Sequence, residues 1–562
     1  MEMTGGQALA GQLAAEGVRD VFGIPGVQLD WATDALLDVA DRIRYITPRH
    51  EQAASYMADG YARTSRDGRE GVCMVVPGPG LLNAMAGLAT AYACNSRVLC
   101  IAGQIASPHI GAGLGLLHEV RGQSEILGSV TKWQALARRA EDVPALVHEA
   151  FRQLRSGAPR PVGLEVPPDV LAARADITLL PRAEPAPTAA GDAALLDDAA
   201  ALLRDARFPL IVAGGGAVAA DAGAELCRLA ELLQAPVVMS ENGRGALPHS
   251  HPLAASALGG RCLLPHADVV LVVGSRFVDG RGEPMPAHAR CRFVYVNLDA
   301  AHTGAPRRSG LALVADARAA VQALAQRLEG HRARESREAA VAQVRAWCER
   351  QLDALQPQRQ YVDVLHRCLS NDGDGGDGGV LVSELTQVGY AANLAYPVHG
   401  PRTFLTPGYQ GTLGYGFATA IGAALADAAR AVVSINGDGG FGWNLQELAT
   451  VARYRPRLVT IVFDDGAFGN VRRIQSTVFK REIGTALHNP DFVALARAFG
   501  LPATAVDSPA GLEAALQAAL AAEGPAFIVV RVGPMPGPWH LVHTFSKAPQ
   551  PAPPNPLGEP PL

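Results

Sequence analysis

The stretch Val432-Val433-Ser434-Ile435-Asn436-Gly437-Asp438-Gly439-Gly440-Phe441 decides the fold. A run rich in β-branched residues stops at Gly-Asp-Gly-Gly. A helical pattern then begins, with Phe441, Leu445, Leu448 and Ala452 on one face. A second apolar run, Leu458-Val459-Thr460-Ile461-Val462-Phe463, ends in Asp464-Asp465. Strand, Gly-rich turn, helix and strand make a βαβ unit with parallel strands. The carboxyl ends of such strands are where ligands bind. Asp438 and Asp465 stand at the two ends, 465 − 438 = 27 residues apart, which is about one crossover. If the strands are neighbours, both carboxylates face one crevice. The helix opening near Gly440 then aims free N–H groups and its positive dipole end at the same place. Mg²⁺ takes oxygen ligands and shares its shell with phosphates, so this set suits a metal-bridged diphosphate. A plain Gly-Asp turn capping a helix would explain Asp438 but not the acidic pair at the next strand end.

The chain has 562 residues, a length for about three domains. Apolar residues make up 48 %, enough for several cores. With 18 % charged residues and a net charge of −5, no polyelectrolyte partner is implied, and no basic run interleaved with aromatics suggests nucleic acid. Met1 to Gly6 lack the charged and apolar regions of a signal peptide, and no stretch has the apolar length to cross a bilayer. The cysteines (73, 94, 100, 227, 262, 291, 348 and 368) are scattered without metal-type or redox-type pairing. Reduced thiols in a cytoplasmic protein without a membrane partner are expected.

The Gly-Asp-Gly turn, its spacer and the acidic pair resemble the diphosphate-binding motif of thiamine-diphosphate (ThDP) enzymes. In that family the first Asp, the second residue of the pair and a backbone carbonyl two residues later hold the metal. The resemblance carries these roles to Asp438, Asp465 and Ala467, and carries cofactor contact to Gly437, Gly439, Gly440, Phe468 and Gly469. The family more often has Asn-Asn where this chain has Asp464-Asp465; Asp is an equally hard ligand.

Toward the N-terminus, strand patterns at 18–22, 43–46, 72–76 and 98–102 alternate with helical ones. The first runs into Gly23-Ile24-Pro25-Gly26. After His50-Glu51-Gln52-Ala53-Ala54, the residues Ala54, Met57, Ala58 and Tyr61 share a helix face. Glu51 therefore sits at a helix N-terminus, where Glu is favoured by the dipole alone. Together with Ala58-Asp59-Gly60-Tyr61-Ala62-Arg63, the segment resembles the one carrying the activating glutamate of the acetolactate-synthase-like group. In such enzymes the thiazolium C2 loses its proton to the cofactor's own amino group, and a carboxyl on the pyrimidine ring nitrogen drives this. The resemblance gives that role to Glu51, and burial raising its pKa would suit it. Pro77-Gly78-Pro79-Gly80-Leu81-Leu82-Asn83 is similar to the family's pyrimidine-side loop, which implicates Gly26, Pro79 and Asn83; Asn83 alone reads equally as a helix cap. In Leu117-His118-Glu119-Val120-Arg121-Gly122-Gln123, the resemblance places a Gln or His near the thiazolium. Gln123 and His118 are the catalytic candidates there, against a reading as solvated loop residues.

Arg182 to Thr188 reads as a linker. Strand patterns at 210–213, 237–239, 269–274 and 293–299 alternate with helices, which gives a second α/β sheet. Gly214-Gly215-Gly216 is not Gly-x-Gly-x-x-Gly. Acetohydroxyacid synthases hold FAD in this domain. Here the segment after Leu258-Gly259-Gly260 is short and lacks their Met-His-Gly element, which weighs against FAD. Arg332 to Leu355 reads as a charged surface helix. Asn371 to Gly379 resembles a calcium loop without its closing Glu and reads as a turn. In Pro407-Gly408-Tyr409-Gln410-Gly411-Thr412-Leu413-Gly414, the resemblance makes Gly411 a cofactor contact and Leu413 the prop that bends the cofactor so its amino group reaches C2. Ile474 stands where acetohydroxyacid synthases have a pocket tryptophan. Arg472 and Arg473 are candidates for a substrate carboxylate or for an ordinary helix surface. The tail from Pro549 is Pro-rich and reads as loose.

These readings predict an α/β protein of three doubly wound parallel-sheet domains: a pyrimidine-binding domain over 1–180, a central Rossmann-like domain over 190–330, and a diphosphate- and Mg²⁺-binding domain over 356–545, with a tail over 546–562. The implied activity is decarboxylation of a 2-oxo acid with ligation to a carbonyl acceptor, as in acetolactate synthase. The alternatives are aldehyde release, cleavage or ligation of a 2-hydroxy ketone, and a catalytically silent ThDP-binding relative. The resemblance also implies a homodimer at least, with Glu51 serving its partner's diphosphate site, or a homotetramer.

Overall fold

A computed structural model describes residues 1–278, 282–332, 335–370, 378–542 and 553–560. Most of the Asn371–Gly379 turn, and residues 546–552 and 561–562 of the tail, lie outside the described residues.

The three expected sheets are present. Each has six strands, and every pairing within them is parallel. The first comprises Asp20–Gly23, Arg44–Ile46, Gly71–Val75, Val98–Gly103, Trp133–Leu136 and Val162–Val166, in spatial order 2-1-3-4-6-5 when counted along the chain. The third comprises Val380–Ser383, Phe404–Leu405, Val432–Gly437, Leu458–Asp464, Ala503–Val506 and Ala526–Arg531, and repeats that order. The middle sheet runs from Pro209–Ala213 to Leu311–Val314 in the order 3-2-1-4-5-6, the doubly wound dinucleotide-fold order. Helices cover both faces, so the strands are buried on both sides and read as near-continuous apolar runs. The order reverses beside Val380–Ser383 and Val432–Gly437, and ligands bind in the crevice outside such a reversal.

The first and third domains meet helix to helix. Glu51–Thr64 lies along Tyr415–Ala426, and one apolar cluster runs through both. Glycines permit the approach: a Cβ on Gly60 would fall on the Thr419 carbonyl, and one on Gly422 on the Met57 carbonyl.

Two expectations change. The charged helix expected on the surface, Glu338–Leu352, buries Val341, Val344 and Trp347 against the middle domain, because its apolar stripe is narrow enough to be masked by composition. The tail is docked over its described part. Asn555 Nδ2 donates to the Cys262 carbonyl (3.0 Å) and Gln343 Nε2 to that of Pro556 (2.7 Å).

Candidate active site

Val432–Gly437 and Leu458–Asp464 are neighbours, with Gly437 opposite Phe463. Asp438 and the Asp464-Asp465 pair therefore emerge side by side. The continuous helix expected after Gly440 is absent. Asp438–Phe441 makes a single turn, the helix breaks at 442–444, and a 3-10 turn Leu445–Glu447 leads into Leu448–Tyr454. Phe441, fully buried, fixes the first turn among Phe417, Phe492 and Phe527, at centroid distances of 5.3, 5.5 and 5.2 Å. Such pairs contribute about 0.5–1.5 kcal/mol each. Polar tethers then redirect the chain: buried Asn444 donates through Nδ2 to the Gly414 carbonyl at 2.7 Å. Apolar periodicity does not register such a tether.

Amide side chains hold the carboxylates together. Asn489 Nδ2 donates to Asp438 Oδ2 (2.6 Å) and to Asp464 Oδ1 (2.8 Å), and Gln387 Nε2 donates to Asp465 Oδ2 (2.7 Å). Burial pushes the Asp438 carboxyl up to about 6, with Asp465 and Asp464 adding like-charge repulsion. Burial also raises Asp465, against the pull of Arg472 at 3.9 Å. Negative charge gathered in this way, mostly answered by neutral amides, fits a hard divalent cation. Ala467 bridges to Ala486, closing off the segment that holds the Gly469–Ile474 helix. The motif glycines are packed: a Cβ on Gly439 would lie 2.7 Å from the Phe468 ring, and one on Gly469 would lie 2.8 Å from Asp465 Oδ2. A different trio, Cys227, Glu231 and His251, lies in the middle domain. His251 Nδ1 accepts from Leu253 N, so its Nε2 carries the proton toward Glu231, and the trio reads as hydrogen-bonded rather than metal-ligating.

Glu384 was not singled out by the sequence. It follows Val380–Ser383 just as Asp438 follows its own strand, and that position was the available signal. Its Oε1 accepts from Gly414 N at 2.9 Å, and a Cβ on Gly440 would fall on its carboxyl. Only 2 % exposed, Glu384 is pushed by burial up to about 8. A carboxyl whose folded pKa exceeds its unfolded value of 4.5 stabilises the fold fully below pH 4.5, and that contribution is lost as pH rises toward 8. The displacement corresponds to roughly 5 kcal/mol. Glu384→Gln is thus expected to flatten the fall in thermal stability between acid and mildly alkaline pH. Parallel melting curves for parent and variant would refute this.

On the first domain, His50 caps the Glu51–Thr64 helix, its Nδ1 accepting from Gln52 N at 3.1 Å. Asn83 Nδ2 donates to Glu51 Oε2 at 3.0 Å, so Asn83 is no helix cap: it lies inside Pro79–Cys94. Within one chain Glu51 is half-buried rather than enclosed as expected, beside exposed Leu82 and Asn83. Gly26 packs on Val76, and Pro79 opens its helix with its ring exposed. Gln123 is buried and fully engaged. Its Oε1 accepts from Gly78 N (2.8 Å), and its Nε2 donates to the Gly103 carbonyl (2.9 Å) and Glu165 Oε1 (2.8 Å). His118, at φ +67°, lays its carbonyl where a Cβ on Gly78 would sit and pairs Nδ1 with Gln28 Oε1 at 3.1 Å. Leu413 is 39 % exposed, which excludes an ordinary core leucine, and Gly411 beside it has φ +57°. Arg473 stacks on Trp539 at 4.3 Å and donates to Asn470 Oδ1 at 3.0 Å. A cavity of about 1970 Å³, lined by Gly215, Ser240, Leu258, Arg276 and Tyr409 among others, follows the carboxyl edge of the middle sheet. This is the space the FAD expectation concerns. The glycine triplet beside it has a packing reason, since a Cβ on Gly216 would lie 2.7 Å from Gly274 Cα.

Comparison with known proteins finds three family models along the chain. Residues 3–126 match the N-terminal TPP binding domain of thiamine pyrophosphate enzymes, 196–324 their central domain, and 384–530 their C-terminal TPP binding domain. A probable 2-ketoarginine decarboxylase of Pseudomonas aeruginosa is 36 % identical over 548 residues, 94 % of each chain. The acetolactate synthase isozyme 1 large subunit of Escherichia coli is 32 % identical over 543 residues, again 94 % of each. A probable acetolactate synthase large subunit of Methanocaldococcus jannaschii is 31 % identical over 569 residues, covering 95 % of this chain and 92 % of the relative.

Proposed function

The chain belongs to the thiamine pyrophosphate enzyme family, in its acetolactate synthase and decarboxylase group, and on that premise we propose that it decarboxylates a 2-oxo acid and passes the product to a carbonyl acceptor. The observation that carries this is the convergence of Asp438 and Asp465 at the strand reversal, with the Leu413 loop tied to the same turn through Glu384 and Asn444.

Asp438, Asp465 and the Ala467 carbonyl would hold Mg²⁺. Gly437, Gly439, Gly440, Phe468 and Gly469 would border the diphosphate. Gly411 and Leu413 would back the bent cofactor, and Gly26, Pro79 and Asn83 would face its pyrimidine. ThDP bound there supplies the electron sink that lets a 2-oxo acid lose CO₂. Glu51 would share a proton with the ring nitrogen, and Asn83, by occupying Oε2, would leave its other carboxyl oxygen to point there. Gln123 acts on the site by holding the Gly78 turn, and His118, its Nδ1 paired with Gln28, is the candidate on that loop to face the thiazolium. Within one chain Glu51 is half-buried and held by Asn83, which leaves it open to a second copy that would complete each site in a homodimer.

Aldehyde release is the second reading. Ile474 in place of the tryptophan favours it, as does the relative described as a 2-ketoarginine decarboxylase. Steady-state assays with pyruvate and with 2-ketoarginine separate the two. Acetolactate from pyruvate is expected; CO₂ and an aldehyde without any ligated product would overturn ligation and leave decarboxylation.

A further inference from the structure

The helix break after Phe441 sends Glu447 inward. It is fully buried, and its carboxylate crosses from the third domain to the first. Arg49 N donates to its Oε1 at 2.9 Å and to its Oε2 at 3.1 Å. Thr450 Oγ1 donates to Oε2 at 2.5 Å. One turn further on, the Tyr454 hydroxyl accepts from Thr47 N at 2.9 Å. Pro48 has no N–H to offer. The backbone donors on either side of Pro48, Thr47 N and Arg49 N, are therefore spent on two side chains of the third domain. Residues 47–50 deliver Glu51.

We propose that Glu447 is a positioning residue for Glu51, holding the start of the Glu51–Thr64 helix from the third domain and so fixing where the Glu51 carboxyl reaches. The proposal rests on the reading of Glu51 given above. A purely local helix cap does not account for the arrangement. His50 already caps this helix, and Glu447 comes from 398 residues away. A wholly buried carboxylate is costly, and burial pushes this one up to about 7. A leucine would fill the space without that cost but would leave the Arg49 donor unpaired. The ten residues from Asp438 to Glu447 thus carry a metal-site carboxylate at one end and the anchor of the activating arm at the other.

Glu447→Gln and the milder Tyr454→Phe test it, with three readouts. Amide hydrogen exchange of the cofactor-free protein should speed up at residues 47–50 in both variants, more in Glu447→Gln. Mg²⁺-dependent ThDP binding, by calorimetry, should stay near the parent value. Exchange of the C2 proton of bound ThDP into D₂O should slow by about 10²-fold in Glu447→Gln, the loss expected when a catalytic group is misplaced by about 1 Å. If Glu447→Gln does not fold, Tyr454→Phe carries the same comparison with smaller changes. Faster amide exchange with unchanged C2 exchange would make Glu447 merely structural, and unchanged amide exchange would remove the clamp; either overturns the proposal. If the parent protein binds no ThDP, the functional reading fails instead, and the amide measurement shows that separately.

Discussion

Glu51→Gln is expected to lower turnover by about 10²- to 10⁴-fold, the usual contribution of a positioned proton-transfer group, while Mg²⁺-dependent ThDP binding persists. The amide is nearly the same size and keeps an oxygen to accept from Asn83 Nδ2, so the local geometry should survive. What it loses is the proton that a carboxyl shares with a ring nitrogen. Binding should survive because the groups that would grip metal and diphosphate, Asp438 and Asp465, sit on the third domain and are held by Asn489 and Gln387 rather than by Glu51. Turnover numbers and calorimetric titrations on the same preparations separate the two effects. An unchanged rate would take Glu51 out of the mechanism. Joint loss of rate and binding would make it a cofactor anchor instead.

Legibility in the sequence followed the range of the interaction. Asp438 and Asp465 were readable because each closes an apolar run, and parallel pairing of adjacent strands brings such ends together. Glu51 was readable because a helix N-terminus and a familiar segment coincide there. The helix after Gly440 was misread, since the apolar spacing is real but Asn444 and Glu447 obey partners at Gly414 and Arg49. Neither partner is local, so neither leaves a periodic trace. Gln123 shows the same limit: its residue type suggested chemistry, while its three bonds show both ends of the amide consumed by the fold. Glu384 and Asn489 went unnoticed for want of a motif, although both touch the turn that the motif defines. The shared 2-1-3-4-6-5 order of the first and third sheets was likewise invisible, because strand order is set by crossovers whose helices look alike in sequence.

Asp438→Asn should act with opposite signs on the cofactor-free and the loaded protein. In the loaded protein the proposed hard ligand would be lost, and ThDP affinity in the presence of Mg²⁺ should fall by at least about 10²-fold, above the 10- to 100-fold typical of changes that only reorient a ligand. In the cofactor-free protein the same change relieves strain. The Asp438 carboxyl is pushed from 3.8 up to about 6 by burial and by its acidic neighbours. Its stabilising contribution is therefore complete below pH 3.8 and is lost as pH rises through about 6. Near pH 8 the native state carries a charged, crowded carboxylate, and a neutral amide at that place removes the repulsion from Asp465. Asn489 retains an oxygen to donate to. Without metal or cofactor the variant should then melt above the parent at pH 8, and the gap should shrink at pH 5. Adding Mg²⁺ and ThDP should raise the parent's melting temperature past that of the variant, because ligand binding to the native state adds to stability in proportion to the logarithm of [L]/Kd. A variant that melts below the parent without ligands, yet binds ThDP as tightly with Mg²⁺, would place Asp438 among the structural acids and move the metal elsewhere.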